Sequence, residues 1–230
     1  MSRLVVVTGG TRGIGAAIAD RFRSQGDTVL APGRAECDVT DEDAVAAYFA
    51  SAGPVDVLVN NAGISSSAPV SRTSLDDWRA QFEVNATGAF LCTRAVLPGM
   101  RSRDSGRIVT VASTASHVGY RYTAGYTASK HAAVGFMRAV AAELAGTGVT
   151  ANAVCPAFVR TDMTASSVAR IVSRSGRSTS DAEAALAAAS PLGRLLEPAE
   201  VAFAVTFLAA PEAAAINGQT LVLDGGGIQS

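Results

Sequence analysis

Tyr126 and Lys130 lie four residues apart in an alanine-rich segment, Ala124 to Ala145, so a helix there puts a phenol and an ammonium on one face, one turn apart. A free phenol ionises at roughly pH 10, too high for proton exchange at neutrality, and a cation beside it favours the phenolate. Composition marks the lysine: 18 of the 19 basic residues are Arg, and Lys130 is the sole Lys. A chain that writes Arg elsewhere keeps a compact ammonium here, where a planar guanidinium would act differently. A second kind of chemistry is written in Thr8-Gly9-Gly10-Thr11-Arg12-Gly13-Ile14-Gly15, between the apolar run Leu4 to Val7 and the helical segment that follows. Glycines in such a turn let the backbone approach a pyrophosphate, whose charge meets free amides at a helix N-terminus.

These residues need a frame, and the chain offers short β-branched runs alternating with helical periodicity. Strands are expected over 3–8, 28–31, 55–60, 107–112, 149–155 and 219–223, and helices near 13–25, 41–52, 75–101, 124–145, 164–173, 180–189 and 198–209. Continuous apolar strands suit a parallel sheet covered on both faces. The pattern predicts an α/β fold of one domain over residues 1–230, a Rossmann-like doubly wound parallel sheet. Only five residues separate Ala31 from Cys37, fewer than the 10–12 or so that a helical crossover needs. The helix after the second strand is therefore expected to be missing, with residues 36–39 left as a short or irregular edge strand.

Nineteen basic against 20 acidic residues give a net charge of -1, which argues against nucleic acid or an anionic membrane as partner. No run is long and apolar enough to span a bilayer, and the amino end lacks a signal-peptide core, so a cytoplasmic location is expected. Cys37, Cys92 and Cys155 are too scattered for a disulfide framework or a zinc site and are expected to be buried thiols. His117 and His131 have no partner at ligand spacing, and Trp78 is expected to be a packing anchor. Few surface charges favour self-association.

TGGTRGIG at 8–15, Asn60-Asn61-Ala62-Gly63, Asp38-Val39, Asn85-Ala86-Thr87-Gly88, Tyr126-x-x-x-Lys130 and Asp224-Gly225-Gly226 together resemble the short-chain dehydrogenase/reductase family over nearly the whole chain. The resemblance, strongest to 3-oxoacyl thioester reductases, implies an NAD(P)-dependent oxidoreductase moving a hydride between nicotinamide and a carbonyl or secondary alcohol, without metal. It implies a catalytic tetrad of Ser113, Tyr126, Lys130 and Asn85. Thr110, Thr114 and Ser116 compete with Ser113 as hydroxyls at a strand end, and the family's serine, thirteen residues before the tyrosine, selects it. Ser113 would bind the substrate oxygen, Tyr126 exchange its proton, Lys130 lower the phenol pKa and hold the nicotinamide ribose, and Asn85 position a relay water. The cofactor would lie on Gly9, Thr11, Arg12, Gly13, Ile14 and Gly15, with Asp38 and Val39 by the adenine and Asn60, Ala62 and Gly63 along the ribose. Pro156, Val159 and Thr161 would meet the carboxamide, although the chain has Ala157 where the family usually has glycine.

Dinucleotide folds carry an acid beyond the second strand that bonds the adenosine 2′-hydroxyl and repels a 2′-phosphate. The corresponding position here is Gly33, followed by Arg34, so Arg12 and Arg34 point to NADP(H) over NAD(H). Residues 161–196 occupy the place of a substrate lid, and Arg170, Arg174 and Arg177, extended by Arg101, Arg103 and Arg121, are suited to phosphates of a CoA- or carrier-protein-linked substrate. The resemblance further implies a homotetramer packed through the 75–101 and 124–145 helices. Two alternatives stand beside this reading: a short-chain alcohol dehydrogenase for a small free hydroxy compound, and a cofactor-binding regulator without catalysis.

Overall fold

The computed structural model describes residues 2–229. Six parallel strands, β1 (Leu4–Val7), β2 (Thr28–Leu30), β3 (Val57–Asn60), β4 (Gly106–Val111), β5 (Val149–Pro156) and β6 (Thr220–Leu223), form one sheet in the order β2-β1-β3-β4-β5-β6. Successive strand residues face opposite sides, so each strand feeds two cores. Val6, Leu58, Ile108 and Cys155 pack under α2 (Glu42–Ala52), α4 (Gly88–Ser102) and α5 (Ala124–Glu143). Val5, Val7, Val59 and Val109 pack under α1 (Gly13–Ser24) and α8 (Pro198–Leu208) on the other side. The expected doubly wound sheet is thus present, with a crevice where the chain leaves β1 for β2 and later returns to β3 on β1's other flank.

Two further helices, α6 (Asp162–Ser175) and α7 (Thr179–Ala187), follow β5 within the segment 161–196 expected to be a lid. Leu196 donates its amide to Phe158 O, and Ser190 Oγ donates to Asp224 O at 2.7 Å, fastening the far end of that segment to the chain after β6. No helix among the described residues is long and apolar enough to cross a membrane.

Three expectations need correction. Residues 36–39 form no strand: Glu36 and Cys37 both donate their amides to Gly33 O, closing a turn that leaves β2 as the sheet edge. The expected helix over 75–101 is continuous but not regular: a π-helical turn over Glu83–Thr87 joins α3 (Leu75–Phe82) to α4. Trp78 is not a core anchor; it is 37% exposed and lies against Phe82 at a ring separation of 5.0 Å. Cys37, Cys92 and Cys155 are buried free thiols, as expected.

Candidate active site

The glycine-rich turn is shaped by contacts that leave no room for side chains. Gly9 and Gly13 adopt positive φ (62° and 54°), and a Cβ on Gly15 would stand 2.3 Å from Gly9 O and 2.5 Å from Asn61 Nδ2. Thr8 Oγ1 accepts the amides of Asn61 and Ala62, and Asn61 Nδ2 donates to Thr8 O and Gly9 O, joining the end of β3 to the turn. The N-cap of α1, Arg12, makes no side-chain cap, and the first turn holds no acid. The opening amides of α1 are therefore available to an anion.

Ser113, Tyr126 and Lys130 converge where β4 ends. The Lys130 side chain is buried, donates to Val111 O at 3.0 Å, and lies 5.9 Å from the centre of the Tyr126 ring. Val111 O takes one of the three N–H donors of an ammonium, leaving two for a ligand. A Cβ on Gly63 would sit 3.5 Å from Lys130 Nζ and 3.2 Å from Asn85 Oδ1, so the glycine keeps a cradle open between β3 and the helix carrying the lysine. At the end of β3, Asn60 donates Nδ2 to Thr93 Oγ1, and its Oδ1 is buried without a partner among the described residues. Free amides at a helix start, an ammonium with spare donors and an unfilled glycine cradle, all on the crevice side, fit a pyrophosphate and a ribose.

Burial dominates the electrostatics. Desolvation pushes the Lys130 ammonium down to about 8 and moves the Tyr126 phenol above its ordinary value, a rise that the neighbouring Ser113 side chain opposes. Without a ligand, then, the phenol is held in its acid form rather than as the phenolate that spacing alone predicts. Ser113 has a second task, accepting the Ala115 amide at 3.1 Å as the cap of a short 3₁₀ turn. Its rival Thr114 takes a hydrogen bond from Tyr120 Oη, and Ser116 Oγ is buried without a partner among the described residues.

Asn85 stands in the π turn, where one extra residue breaks the regular helix. Its Oδ1 accepts the Ile64 amide at 2.9 Å, and its Nδ2 donates to Ile64 O and to Ser129 Oγ, which in turn donates to Tyr126 O. Both amide donors are spent, so the side chain ties the end of β3 to the helix of Tyr126 and keeps one lone pair for a water. Ser129 was not anticipated as part of this chain; only its place beside Lys130 could have drawn attention to it.

Tyr126 and Ser113 open into a cavity of about 1330 Å³. Ile14, Pro156, Val159 and Thr161 line it, as do Arg170 and Arg174 of the lid and Arg72 and Arg121 opposite. Ala157, the departure from the expected glycine, donates its amide to Leu223 O as a continuation of the β5–β6 ladder. Arg103 is not part of this rim: it binds Val55 O at the amino edge of the sheet, and Arg101 ends α4 on that same side. Arg177 is exposed between α6 and α7. His131 is exposed, with Nδ1 at Thr127 O, and no metal-binding cluster occurs among the described residues. Of the residues expected at the adenine, Val39 is buried against Gly88, while Asp38 caps Thr40 and pairs with Arg34 Nε at 2.9 Å. Arg12 pairs with Asp162 at 3.3 Å.

Residues 31–227 match the family described as enoyl-(acyl carrier protein) reductase. Acetoacetyl-CoA reductase of Shinella zoogloeoides is 38% identical, with 98% of each chain covered. The 3-oxoacyl-[acyl-carrier-protein] reductase MabA of Mycobacterium tuberculosis is also 38% identical, over 98% of this chain and 93% of its own. Among solved structures, a variant of actinorhodin polyketide ketoreductase with NADPH superposes with a TM-score of 0.89 at 37% identity, covering 98% of this chain and 97% of that one.

Proposed function

The chain belongs to the short-chain dehydrogenase/reductase family, oxidoreductases acting on a CH–OH group with NAD(P), and from that premise we propose that it reduces the ketone of a 3-oxoacyl thioester. The observation that carries this reading is the half-buried Tyr126 beside Ser113 at the wall of a cavity of about 1330 Å³, larger than the roughly 300–1,000 Å³ of ordinary ligand pockets. Part of that space, along Pro156, Val159 and Thr161, is the nicotinamide's; a small ketone would leave much of the remainder to water, and an acyl chain with its thioester arm would fill it.

When bound, the reduced nicotinamide supplies the hydride that adds to the carbonyl carbon. Ser113 Oγ holds the ketone oxygen, and Tyr126 Oη gives its proton to that oxygen as the C–H bond forms, which leaves an alcohol and a phenolate. Lys130 would hold the ribose with the N–H donors that Val111 O leaves free, and its charge would stabilise the phenolate until a proton is returned. Asn85 acts as a positioning residue: its bonds to Ile64 and Ser129 fix the distance between the cofactor cradle and Tyr126, and its spare lone pair can hold the water that returns the proton. The NADP(H) preference expected from Arg12 and Arg34 would need both guanidiniums freed from Asp162 and Asp38.

The same reading takes the assembly to be a homotetramer packed through α3, α4 and α5. Phe90, 39% exposed on α4 and set edge-on against Phe136 of α5, supports that face, and light scattering should return a mass near four chains.

Reduced-cofactor oxidation with a matched set of substrates tests the function. A 3-oxoacyl-CoA should be turned over with a kcat/KM at least about tenfold above that of the ketone lacking the thioester, and above that of a small free hydroxy compound oxidised in reverse. An enoyl thioester should not be reduced, because the Ser113–Tyr126 pair addresses an oxygen. Equal rates for thioester and simple ketone would overturn the substrate assignment.

A further inference from the structure

By residue type the end of β2 offers no acid: Gly33 stands where a carboxylate would meet the adenosine 2′-hydroxyl. Geometry supplies one from elsewhere. Glu36 folds back over the turn so that its Oε2 accepts the Gly33 amide at 2.8 Å. A Cβ on Gly33 would lie 3.1 Å from that same oxygen and 2.9 Å from Thr11 Cγ2, a residue of the glycine-rich turn. The Glu36 carboxylate therefore fills the space that the missing side chain of Gly33 vacates, facing the phosphate-binding turn. The shortened connection after β2 makes this possible, since a crossover helix would have carried residue 36 away. Glu36 is exposed, and its Oε1 has no partner among the described residues. Meanwhile the two arginines that could neutralise a 2′-phosphate are each held on a carboxylate, Arg34 on Asp38 and Arg12 on Asp162.

We propose that Glu36 selects the cofactor, accepting a hydrogen bond from the adenosine ribose and repelling a 2′-phosphate, so that the chain prefers NAD(H) to NADP(H). This rests on the reading that a nicotinamide dinucleotide lies on the glycine-rich turn. A carboxylate held on the Gly33 amide beside the glycine-rich turn would outweigh two exposed, already paired guanidiniums, because exposed pairs are worth little and re-pairing costs each its present partner.

Calorimetric titration of the purified chain with NADH and with NADPH separates the possibilities. NADH should bind about tenfold or more tightly than NADPH. Glu36→Gln keeps an oxygen for the Gly33 amide while removing the charge, so it should tighten NADPH binding and narrow the ratio at least about fivefold, with the thermal midpoint unchanged. Adenosine 2′,5′-bisphosphate and 5′-AMP, which lack the nicotinamide, should show the same ordering. NADPH bound as tightly as NADH by the unaltered chain, or a ratio that Glu36→Gln leaves in place, overturns the assignment of Glu36. Failure of both dinucleotides to bind overturns the proposed function itself, and this inference with it.

Discussion

At the scale of single residues, the state of two protons decides what the site can do. Reduction needs the Tyr126 phenol protonated, and burial holds it so well beyond neutrality. Tyr126→Phe should therefore lower turnover by several orders of magnitude while calorimetry finds dinucleotide affinity little changed; near-normal turnover would remove Tyr126 from the chemistry. Lys130 titrates on the alkaline side, burial bringing its proton loss down to about pH 8. Dinucleotide affinity should weaken as pH rises through that value, and Lys130→Arg, whose charge persists, should lack the step even though its bulk impairs turnover. The same shift has a stability sign. A folded-state value below the unfolded 10.5 means that the unfolded chain binds more protons between pH 8 and 10.5, so the cost of the buried charge is fully present below 8 and is relieved as pH rises through that window. The gap corresponds to a cost on the order of 3 kcal/mol at pH 7, at roughly 1.4 kcal/mol for each pH unit. Lys130→Met should accordingly raise the thermal midpoint of the ligand-free protein at pH 7 while abolishing turnover; a lower midpoint would mean that the ammonium is not paying a desolvation cost.

At the scale of elements, periodicity reported the strands and most helices but could not report a single inserted residue. The span 75–101 keeps its amphipathic pattern across the π turn, so it reads as one helix, yet the turn sets Asn85 against Ile64 and Ser129. Asn85→Ala would leave the Ile64 amide and carbonyl and the Ser129 hydroxyl short of a partner. A loss of about 2–4 kcal/mol in urea unfolding is expected, with turnover falling more than dinucleotide affinity. An affinity loss equal to the turnover loss would instead place Asn85 solely at the cofactor cradle. The glycine-rich turn was more legible, because glycine has a narrow physical meaning where backbones crowd. Gly15→Ala forces a Cβ to 2.3 Å from Gly9 O, and the expected outcome is loss of measurable dinucleotide binding. The shortened connection was legible as a deletion, from counting alone. Its consequence was not: no spacing rule says that Glu36 turns back on Gly33, since that contact depends on the path of a turn rather than on a repeat.

At the scale of the whole molecule, a net charge of -1 conceals an uneven distribution. Arg72, Arg121, Arg170 and Arg174 line the cavity, and Asp77 is the one carboxylate among the residues lining it. Of the three arginines expected on the lid segment, Arg170 and Arg174 reach the cavity and Arg177 does not, while Arg101 and Arg103 were misplaced because nothing in the chain says which edge of the sheet a helix end will reach. Arg170 Nε is buried without a partner among the described residues, and Arg174 reaches only Ser67 O, at 3.4 Å. Neither guanidinium is matched by a carboxylate, so both remain available to an anion entering with the substrate arm. A thioester of CoA brings phosphates to that rim, whereas the N-acetylcysteamine thioester of the same acyl group brings none. Replacing both Arg170 and Arg174 by Ala should raise KM for the CoA thioester about tenfold and leave kcat unchanged, while KM for the N-acetylcysteamine thioester moves less than about twofold. Added salt should raise KM for the CoA thioester in the unaltered enzyme and have little effect in the double variant. If both substrates weaken alike, the arginines support the lid rather than the phosphates, and the cavity's excess charge has no part in choosing the substrate.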